Sequence, residues 1–302
     1  MKRSSVHTAW FAAASLAASL VAANCALPEA PRRFALVYGV TDYPGTTNDL
    51  TYPAIDATEM TGVLGSSGWM TQAKTNSAAT KAAIQADIGA LSAGLSPDSS
   101  VLVYFSGHGT SSADTAYFIP YDGLSGTASC ISLSEIKAWF DTLPCRNKIL
   151  ILDTCYSGGF VDAGSAIDTA PQAYGPLDGG TTAEFPSSAY ANFSRLLELN
   201  AAAVDSDLFV LSAAGSRELS YESSGFGGGN GVFTSFLIGA ASNADADKDK
   251  LVTLSEAYSY ASLGVTSYWN AQTWNQYNGV GYADFLPHLS GQRRDVVLFD
   301  RR

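Results

Sequence analysis

The strongest constraint on the fold is an alternation of short apolar runs with helical segments. Four runs are typical of buried strands: 32–40, 99–106, 148–153 and 207–214. Helical periodicity lies between and after them: 53–64, 81–95, 132–143, 189–203 and 230–242. Such alternation predicts an α/β fold with a mostly parallel central sheet and helices on both faces. A chain of 302 residues with 46% hydrophobic content can form this core as one domain.

The pattern also predicts which side of the first helix is buried. Ile55, Met60, Val63 and Leu64 are the apolar residues of 53–64, and we expect them on one side, against the sheet.

Two of the predicted strands end in residues that carry chemistry. The stretch "YFSGHG" places His108 between two glycines, and "ILDTCYSGG" places Cys155 before another pair. Because sites in parallel sheets lie at the carboxyl ends of the strands, we expect His108 and Cys155 to face each other. A thiolate beside an imidazole suffices for acyl transfer, and the N–H groups of Gly109 and Cys155 could stabilise the oxyanion.

Each residue alone has a plainer explanation. A single cysteine is more often a small buried hydrophobe, and a histidine between glycines is more often a solvated turn residue. The joint placement at two strand ends favours catalysis.

At these residues the sequence resembles the caspase and metacaspase superfamily, in its bacterial caspase-like branch. The resemblance continues through "ALVYGVTDYPG", "AIDATEM", "VLSAAGSRELSYE" and "GVFTSFL", and so covers about 34–300. It implies a caspase-like sandwich and a cysteine endopeptidase with His108 as general acid and base and Cys155 as nucleophile. The chain lacks the Gln-Ala-Cys signature of true caspases, which bears on specificity and leaves the dyad intact.

Two acidic residues bear on specificity. Asp153 lies two residues before Cys155, so strand alternation puts both side chains on one face. Metacaspases carry an acidic residue here and another in the first helix, where this chain has Asp56. Two carboxylates in a pocket would favour peptide or protein substrates with Arg or Lys before the scissile bond. The alternatives are a structural carboxylate for Asp153 and a helix-face residue for Asp56.

Three functional hypotheses follow. The first is an endopeptidase that cleaves after basic residues. Since 149–194 contains no Lys or Arg, we expect no self-cleavage in this segment and an active single chain, and cleavage near Arg195 or at Arg32 and Arg33 is left open. The second is a catalytically silent binding protein with the caspase fold, stabilised by calcium and anchored at a surface. The third is a dyad enzyme that acts at non-basic sites.

The first 26 residues predict export. Lys2 and Arg3 precede an apolar segment from about Ala9 to Ala23, which is typical of a signal peptide and short for a membrane span. "LVAANC" also resembles a lipobox, which would give Cys25 a lipid anchor, although Asn24 departs from the pattern. We expect a secreted, periplasmic or lipid-anchored protein whose peptidase domain covers 32–302.

Charge and cysteine content narrow the partners further. The net charge of −11 argues against nucleic acid, and no organic cofactor is expected. We expect a monomer. Cys130 and Cys145 flank a predicted helix and either pair as a disulfide or remain two buried thiols.

A last motif suggests calcium. In "DADKDKLVTLSE" the positions 1, 3, 5, 7, 9 and 12 of an EF-hand loop are filled by Asp245, Asp247, Asp249, the Leu251 carbonyl, Thr253 and Glu256. Lys250 replaces the glycine expected at position 6. The rival interpretation is a capping box of Thr253 and Glu256 that starts a helix, preceded by a solvated turn. Both can hold together, and a bound calcium would have a structural role.

Overall fold

The computed structural model describes residues 31–112, 115–154, 208–214, 219–225, 228–270, 285–290 and 296–302. The predicted signal peptide with Cys25, the nucleophile Cys155 and the predicted helix 189–203 lie outside the described residues.

The described residues contain strands of two to eight residues and α-helices of nine to fourteen. The strands are β1 (Arg33–Gly39), β2 (Met70–Thr75), β3 (Ser100–Gly107), β4 (Gly109–Ser112), β5 (Thr115–Phe118), β6 (Ile131–Ser132), β7 (Asn147–Thr154), β8 (Leu208–Ser212), β9 (Glu222–Ser223), β10 (Asn230–Gly231), β11 (Leu251–Thr253), β12 (His288–Ser290) and β13 (Val297–Asp300). The α-helices are α1 (Pro53–Ser66), α2 (Lys81–Ala90), α3 (Leu133–Asp141), α4 (Val232–Asn243) and α5 (Leu254–Gly264).

Six strands form the central sheet in the order β12-β8-β7-β3-β1-β2. All neighbours are parallel except β12, which pairs antiparallel with β8. The small strands β4, β5 and β6 form a separate antiparallel sheet that starts directly after β3. The predicted α/β class with a mostly parallel sheet is confirmed.

Side chains alternate between two hydrophobic cores, one on each face of the central sheet. On one face Leu102 and Tyr104 of β3 join a core with residues of α1, α4 and α5. On the other face Val103 and Phe105 join a core with residues of α2 and α3. This period of two places helices on both sides of the sheet, as the alternating sequence predicted.

Helix α1 buries Met60 and Leu64 and packs Val63 against the core, as its apolar residues predicted, but Ile55 departs from that side. Its buried residues are Pro53, Asp56, Ala57, Met60 and Leu64, which follow the helical spacing of three and four. Ile55 is 44% exposed, so its predicted burial is wrong. The buried stripe therefore carries a carboxylate, Asp56, toward the sheet.

Two further expectations can be compared with the structure. Cys130 and Cys145 are buried and are not joined by a disulfide, which agrees with the second of the two alternatives for these residues. Among the helices that the structure describes, none has the length and apolar character needed to cross a bilayer.

Candidate active site

The parallel register of β3 and β7 determines which residues lie side by side where the two strands end. Ser106 pairs with Asp153, and Gly107 pairs with Thr154. In the sequence, His108 follows directly after β3 and Cys155 follows directly after β7. Cys155 itself lies outside the described residues, so the register is the structural information that bears on its position.

Gly107 is required where β3 ends. Its φ of +157° lies at the edge of the region that favours glycine, and an added Cβ would come within 2.9 Å of both the Phe105 ring and the Tyr43 hydroxyl. The close approach brings the backbone of His108 to Tyr43, whose hydroxyl accepts a hydrogen bond from the His108 N–H at 3.0 Å. The same hydroxyl donates to the carbonyl of Ile119 at 2.9 Å.

The imidazole of His108 is buried and held by the main chain. Its Nε2 lies 2.8 Å from the carbonyl oxygen of Asn48. Because a carbonyl only accepts hydrogen bonds, Nε2 carries the proton, and in the neutral ring Nδ1 keeps its lone pair. Burial lowers the pKa of His108, while the Asn48 carbonyl and the charge of Asp49 oppose that change. A neutral ring with a free lone pair at Nδ1 can accept a proton from a thiol.

Gly109 starts the small sheet directly after His108, where it pairs with Phe118. The N–H of Ile119 donates to the His108 carbonyl at 2.9 Å, whereas the His108 N–H donates to Tyr43. The role of the Gly109 N–H as an oxyanion donor stays a prediction.

Asp56 reaches the same edge of the sheet from α1 and is 1% exposed. Its Oδ2 accepts from the Ser106 hydroxyl at 2.7 Å. Its Oδ1 accepts from the Gly231 N–H at 2.9 Å and from the Asn230 side chain at 3.1 Å.

Asp153 is buried in a second hydrogen-bond network. Its Oδ2 accepts from the Thr234 hydroxyl at 2.6 Å and from the Thr234 N–H at 3.2 Å, and its Oδ1 accepts from the Ser220 hydroxyl. The Thr234 hydroxyl also lies 2.6 Å from that of Tyr104. These partners hold Asp153 in place, so it is a structurally anchored carboxylate that also lines a cleft.

Gly231 lies between the two carboxylates. A Cβ at this position would be 3.1 Å from Oδ2 of Asp56 and would collide with Oδ2 of Asp153. The absence of a side chain here is what lets the two acidic groups share one wall.

Both carboxylates resist ionisation. Burial, followed by the negative charge of Asp153, raises the pKa of Asp56 to about 8. Burial also raises the pKa of Asp153, although the hydrogen bonds from Ser220 and Thr234 oppose that rise. The site is therefore short of positive charge, and a bound cation would favour ionisation of both groups.

A small open cleft lies at this edge of the sheet. Asp56 and Asp153 line it, as do Gly107 and Thr154, the neighbours of His108 and Cys155. Among the described lining residues there is no Lys or Arg, and a third acidic side chain, Glu222, contributes to the wall.

Sequence analysis missed Glu222 and the hydrogen-bonding partners of the two aspartates. Glu222 accepts from the N–H groups of Thr51 and Tyr52, at 2.8 and 3.0 Å, directly before α1. Its signal in the sequence is its place at the end of the stretch "VLSAAGSRELSYE", which carries part of the resemblance. Ser106 could have been found, since it lies two residues before His108 on the same strand.

The predicted calcium loop is brought together in part. Carboxylate oxygens of Asp245, Asp247 and Asp249 lie within 4.8 Å of one another. Thr253 and Glu256 form the capping box of the rival interpretation, with Glu256 N–H donating to the Thr253 hydroxyl at 3.2 Å. The Leu251 residue, whose carbonyl was the predicted ligand at position 7, belongs to strand β11, which pairs with β13.

Comparisons with known proteins bear on the family and the fold. A family model described as "Caspase domain" matches residues 32–273. Protein GSU0716 from Geobacter sulfurreducens has a similar structure, with a TM-score of 0.55 and 15% identity over 88% of this chain and 99% of that one. Caspase-1 from Spodoptera frugiperda has a TM-score of 0.56 and 12% identity over 90% and 91%. A search of curated proteins found no match.

Proposed function

Since the chain belongs to the caspase domain family, we propose that it is a cysteine endopeptidase that hydrolyses peptide bonds after Arg or Lys. Cys155 is the nucleophile and His108 the general acid and base. The observation that carries the proposed specificity is the cleft beside His108, with three acidic side chains and no basic one among its described lining residues.

The first half of the reaction uses the neutral imidazole. Nδ1 of His108 takes the proton of the Cys155 thiol, and the thiolate attacks the carbonyl carbon of the substrate. The N–H groups of Gly109 and Cys155 donate to the oxyanion that forms. His108 then returns its proton to the leaving amine as the C–N bond breaks, which leaves an acyl-enzyme.

Water completes the reaction. His108 takes a proton from the attacking water and passes it to the departing sulfur, so the thiol is regenerated. The hydrogen bond from Nε2 to the Asn48 carbonyl at 2.8 Å holds the ring in one tautomer through both halves.

The acidic cleft selects the residue before the scissile bond. A guanidinium or ammonium group there would be stabilised by Asp56, Asp153 and Glu222, whereas the carboxylate of an Asp substrate would be repelled. Binding of the cation also lowers the pKa of Asp56 from its raised value, so that proton release accompanies substrate binding.

A panel of fluorogenic peptides tests this proposal. The peptides are identical except that they end in Arg, citrulline, Lys, Ala or Asp. Citrulline has nearly the shape of Arg without its charge, so we expect kcat/KM to fall about 10- to 100-fold from Arg to citrulline. Cys155→Ala and His108→Ala should abolish turnover, and Asp98→Asn, which alters an exposed residue outside the cleft, should retain it.

Each other outcome has its own meaning. Equal cleavage of Arg and citrulline peptides would keep the peptidase and reject the charged pocket. Absence of turnover with every peptide would reject the enzyme and favour the silent, partner-binding protein.

Export remains a separate proposal, based on the first 26 residues. The mass of the mature N-terminus, measured for the full chain and for Cys25→Ser, distinguishes a diacylated Cys25 from simple cleavage. An N-terminus that begins at Met1 would contradict export.

A further inference from the structure

We propose that the loop between α4 and α5 binds one Ca²⁺ through the carboxylates of Asp245, Asp247 and Asp249. The proposal concerns a site separate from the catalytic cleft, so it stands or falls independently of the peptidase activity.

The main observation is an unsatisfied buried oxygen. The side chain of Asp245 is only 10% exposed, and its Oδ1 has no hydrogen-bond partner. Buried carboxylate oxygens without a partner are rare in native proteins, because they lose water and gain nothing in return. One carboxylate oxygen from each of Asp245, Asp247 and Asp249 lies within 4.8 Å of the other two, so a single cation could contact all three residues.

The loop backbone orients all three carboxylates. The Lys250 N–H donates to Oδ2 of Asp245 at 3.1 Å, the Asp249 N–H to Oδ1 of Asp247 at 3.2 Å, and the Leu251 N–H to Oδ1 of Asp249 at 2.7 Å. The acidic groups are thus gathered by short-range bonds despite their mutual repulsion.

The nearby cations only partly balance these charges. Arg301 lies 3.7 Å from Oδ2 of Asp245, but its side chain is 42% exposed, so the attraction is weakened by solvent. Arg302 is bound to Asp300 at 2.6 Å. Lys248 and Lys250 belong to the loop and are exposed.

Glu256 has a different role from the one its sequence position predicts. Its Oε1 accepts from the Ala246 N–H at 3.0 Å, and its Oε2 accepts from the Thr253 N–H and hydroxyl at 2.9 Å each. Glu256 therefore joins the start of the loop to the start of α5 through hydrogen bonds. We assign it a structural role in closing the loop and not the role of a ligand.

Lys250 fits the conformation but opposes the ion. Its φ is +71°, the left-handed conformation that an EF-hand loop needs at its sixth position, where glycine is usual. The ammonium group of Lys250 adds a positive charge beside the proposed ion. Weak binding follows, with a Kd of about 10⁻⁴ to 10⁻³ M, as in extracellular modules.

Bound calcium would stabilise the loop and the two helices that it joins. α4 ends at Asn243, and the partial negative charge at its C-terminus adds to the attraction for a cation. α4 and α5 pack on the same core, through residues such as Leu237 and Ala257, so the site would stabilise the fold on that face.

Calcium titrations followed by calorimetry and by thermal unfolding test the proposal. Every protein carries Cys155→Ala, so that proteolysis contributes nothing. We expect millimolar Ca²⁺ to raise Tm by about 2–4 °C, and Mg²⁺ at the same concentration to have a smaller effect. Asp245→Asn should abolish the shift, and the exposed control Asp98→Asn should keep it.

Loss of the Tm shift in Asp245→Asn could also result from misfolding, so a variant that is expected to bind more tightly is needed as well. Lys250→Asn removes the charge while Asn still tolerates positive φ, and we expect it to tighten binding about fivefold. The proposal is wrong if 10 mM Ca²⁺ produces neither heat nor a Tm shift. It is equally wrong if Asp245→Asn and Asp98→Asn respond alike, if Lys250→Asn fails to tighten binding, or if Mg²⁺ is as effective as Ca²⁺.

Discussion

The raised pKa of Asp56 predicts a specific pH dependence for the cleavage of basic substrates. Burial and the charge of Asp153 place this pKa at about 8. At pH 7 only about one tenth of Asp56 is ionised, and half is ionised at pH 8. If the ionised carboxylate binds the substrate cation, kcat/KM for the Arg peptide should rise about fivefold from pH 7 to pH 8 and about tenfold from pH 7 to pH 9.

Comparison with the citrulline peptide isolates this effect. Ionisation of any group of the enzyme outside the cleft affects both peptides equally, because the peptides differ only in the charge of one side chain. We therefore expect the ratio of kcat/KM for Arg to that for citrulline to rise about tenfold from pH 7 to pH 9. In Asp56→Asn the ratio should be lower and should rise less with pH, because Asp153 is the one carboxylate with a raised pKa that remains of the pair. A wild-type ratio that stays constant would refute the assignment of Asp56 to the cation.

The same proton affects stability. Because the pKa of Asp56 is raised on folding, the folded chain holds a proton that the unfolded chain has lost between the ordinary pKa of 3.8 and about 8. The free energy of unfolding therefore falls as pH rises through this window, by at most about 1.4 kcal/mol per pH unit for one proton. Asn resembles the protonated acid, so Asp56→Asn should lose this dependence. Its Tm advantage over the wild type should grow from pH 5 to pH 9.

Three further predictions concern neighbouring features. Gly231→Ala should destabilise the fold and lower cleavage after Arg, because its Cβ would collide with Asp153. Gly89→Ala, in a helix with open space around it, should instead stabilise the fold by about 0.5–1 kcal/mol. Equal Tm values for the two variants would contradict this. Thr234→Val should cost about 1–3 kcal/mol of stability by chemical denaturation, because Asp153 loses a buried hydroxyl donor. Intact mass after prolonged incubation should show no cleavage within 149–194, which lacks Lys and Arg, and a cut there would argue against basic specificity.

The buried part of the fold could be predicted from the sequence, and its edges could not. β3 and β7 were expected at 99–106 and 148–153 and lie within one residue of those bounds, because continuous apolar runs are typical of strands covered on both faces. β2 carries no such run, since Met70–Thr75 is exposed or half-buried. The three-residue strand β12 depends on its pairing with β8, which the local sequence does not specify.

Without the family resemblance, the candidate site was predictable only where residues adjoin a strand end. His108 and Asp153 were found because strand alternation relates them to the sheet. Asp56 was expected in the pocket from the resemblance alone, since the apolar residues of α1 do not reveal that a carboxylate is buried beside them. Thr234 and Ser220 reach Asp153 from 81 and 67 residues away, and a pattern limited to one segment cannot reveal such partners.

The hydrogen bond from His108 to the carbonyl of Asn48 has a consequence for how the site tolerates mutation. Every residue type supplies a carbonyl, so position 48 should accept many substitutions without loss of the ring's orientation. The vulnerable positions are those that fix the path of the chain around it. Asp49 accepts from the Tyr43 N–H at 3.1 Å, and Asn76 accepts from the N–H groups of Thr41 and Asp42 at 2.9 and 3.1 Å. A mutational scan should therefore find that Asn48 tolerates substitution and that its neighbour Asp49 does not. The group that orients the ring depends on the path of the loop, not on the side chain at position 48.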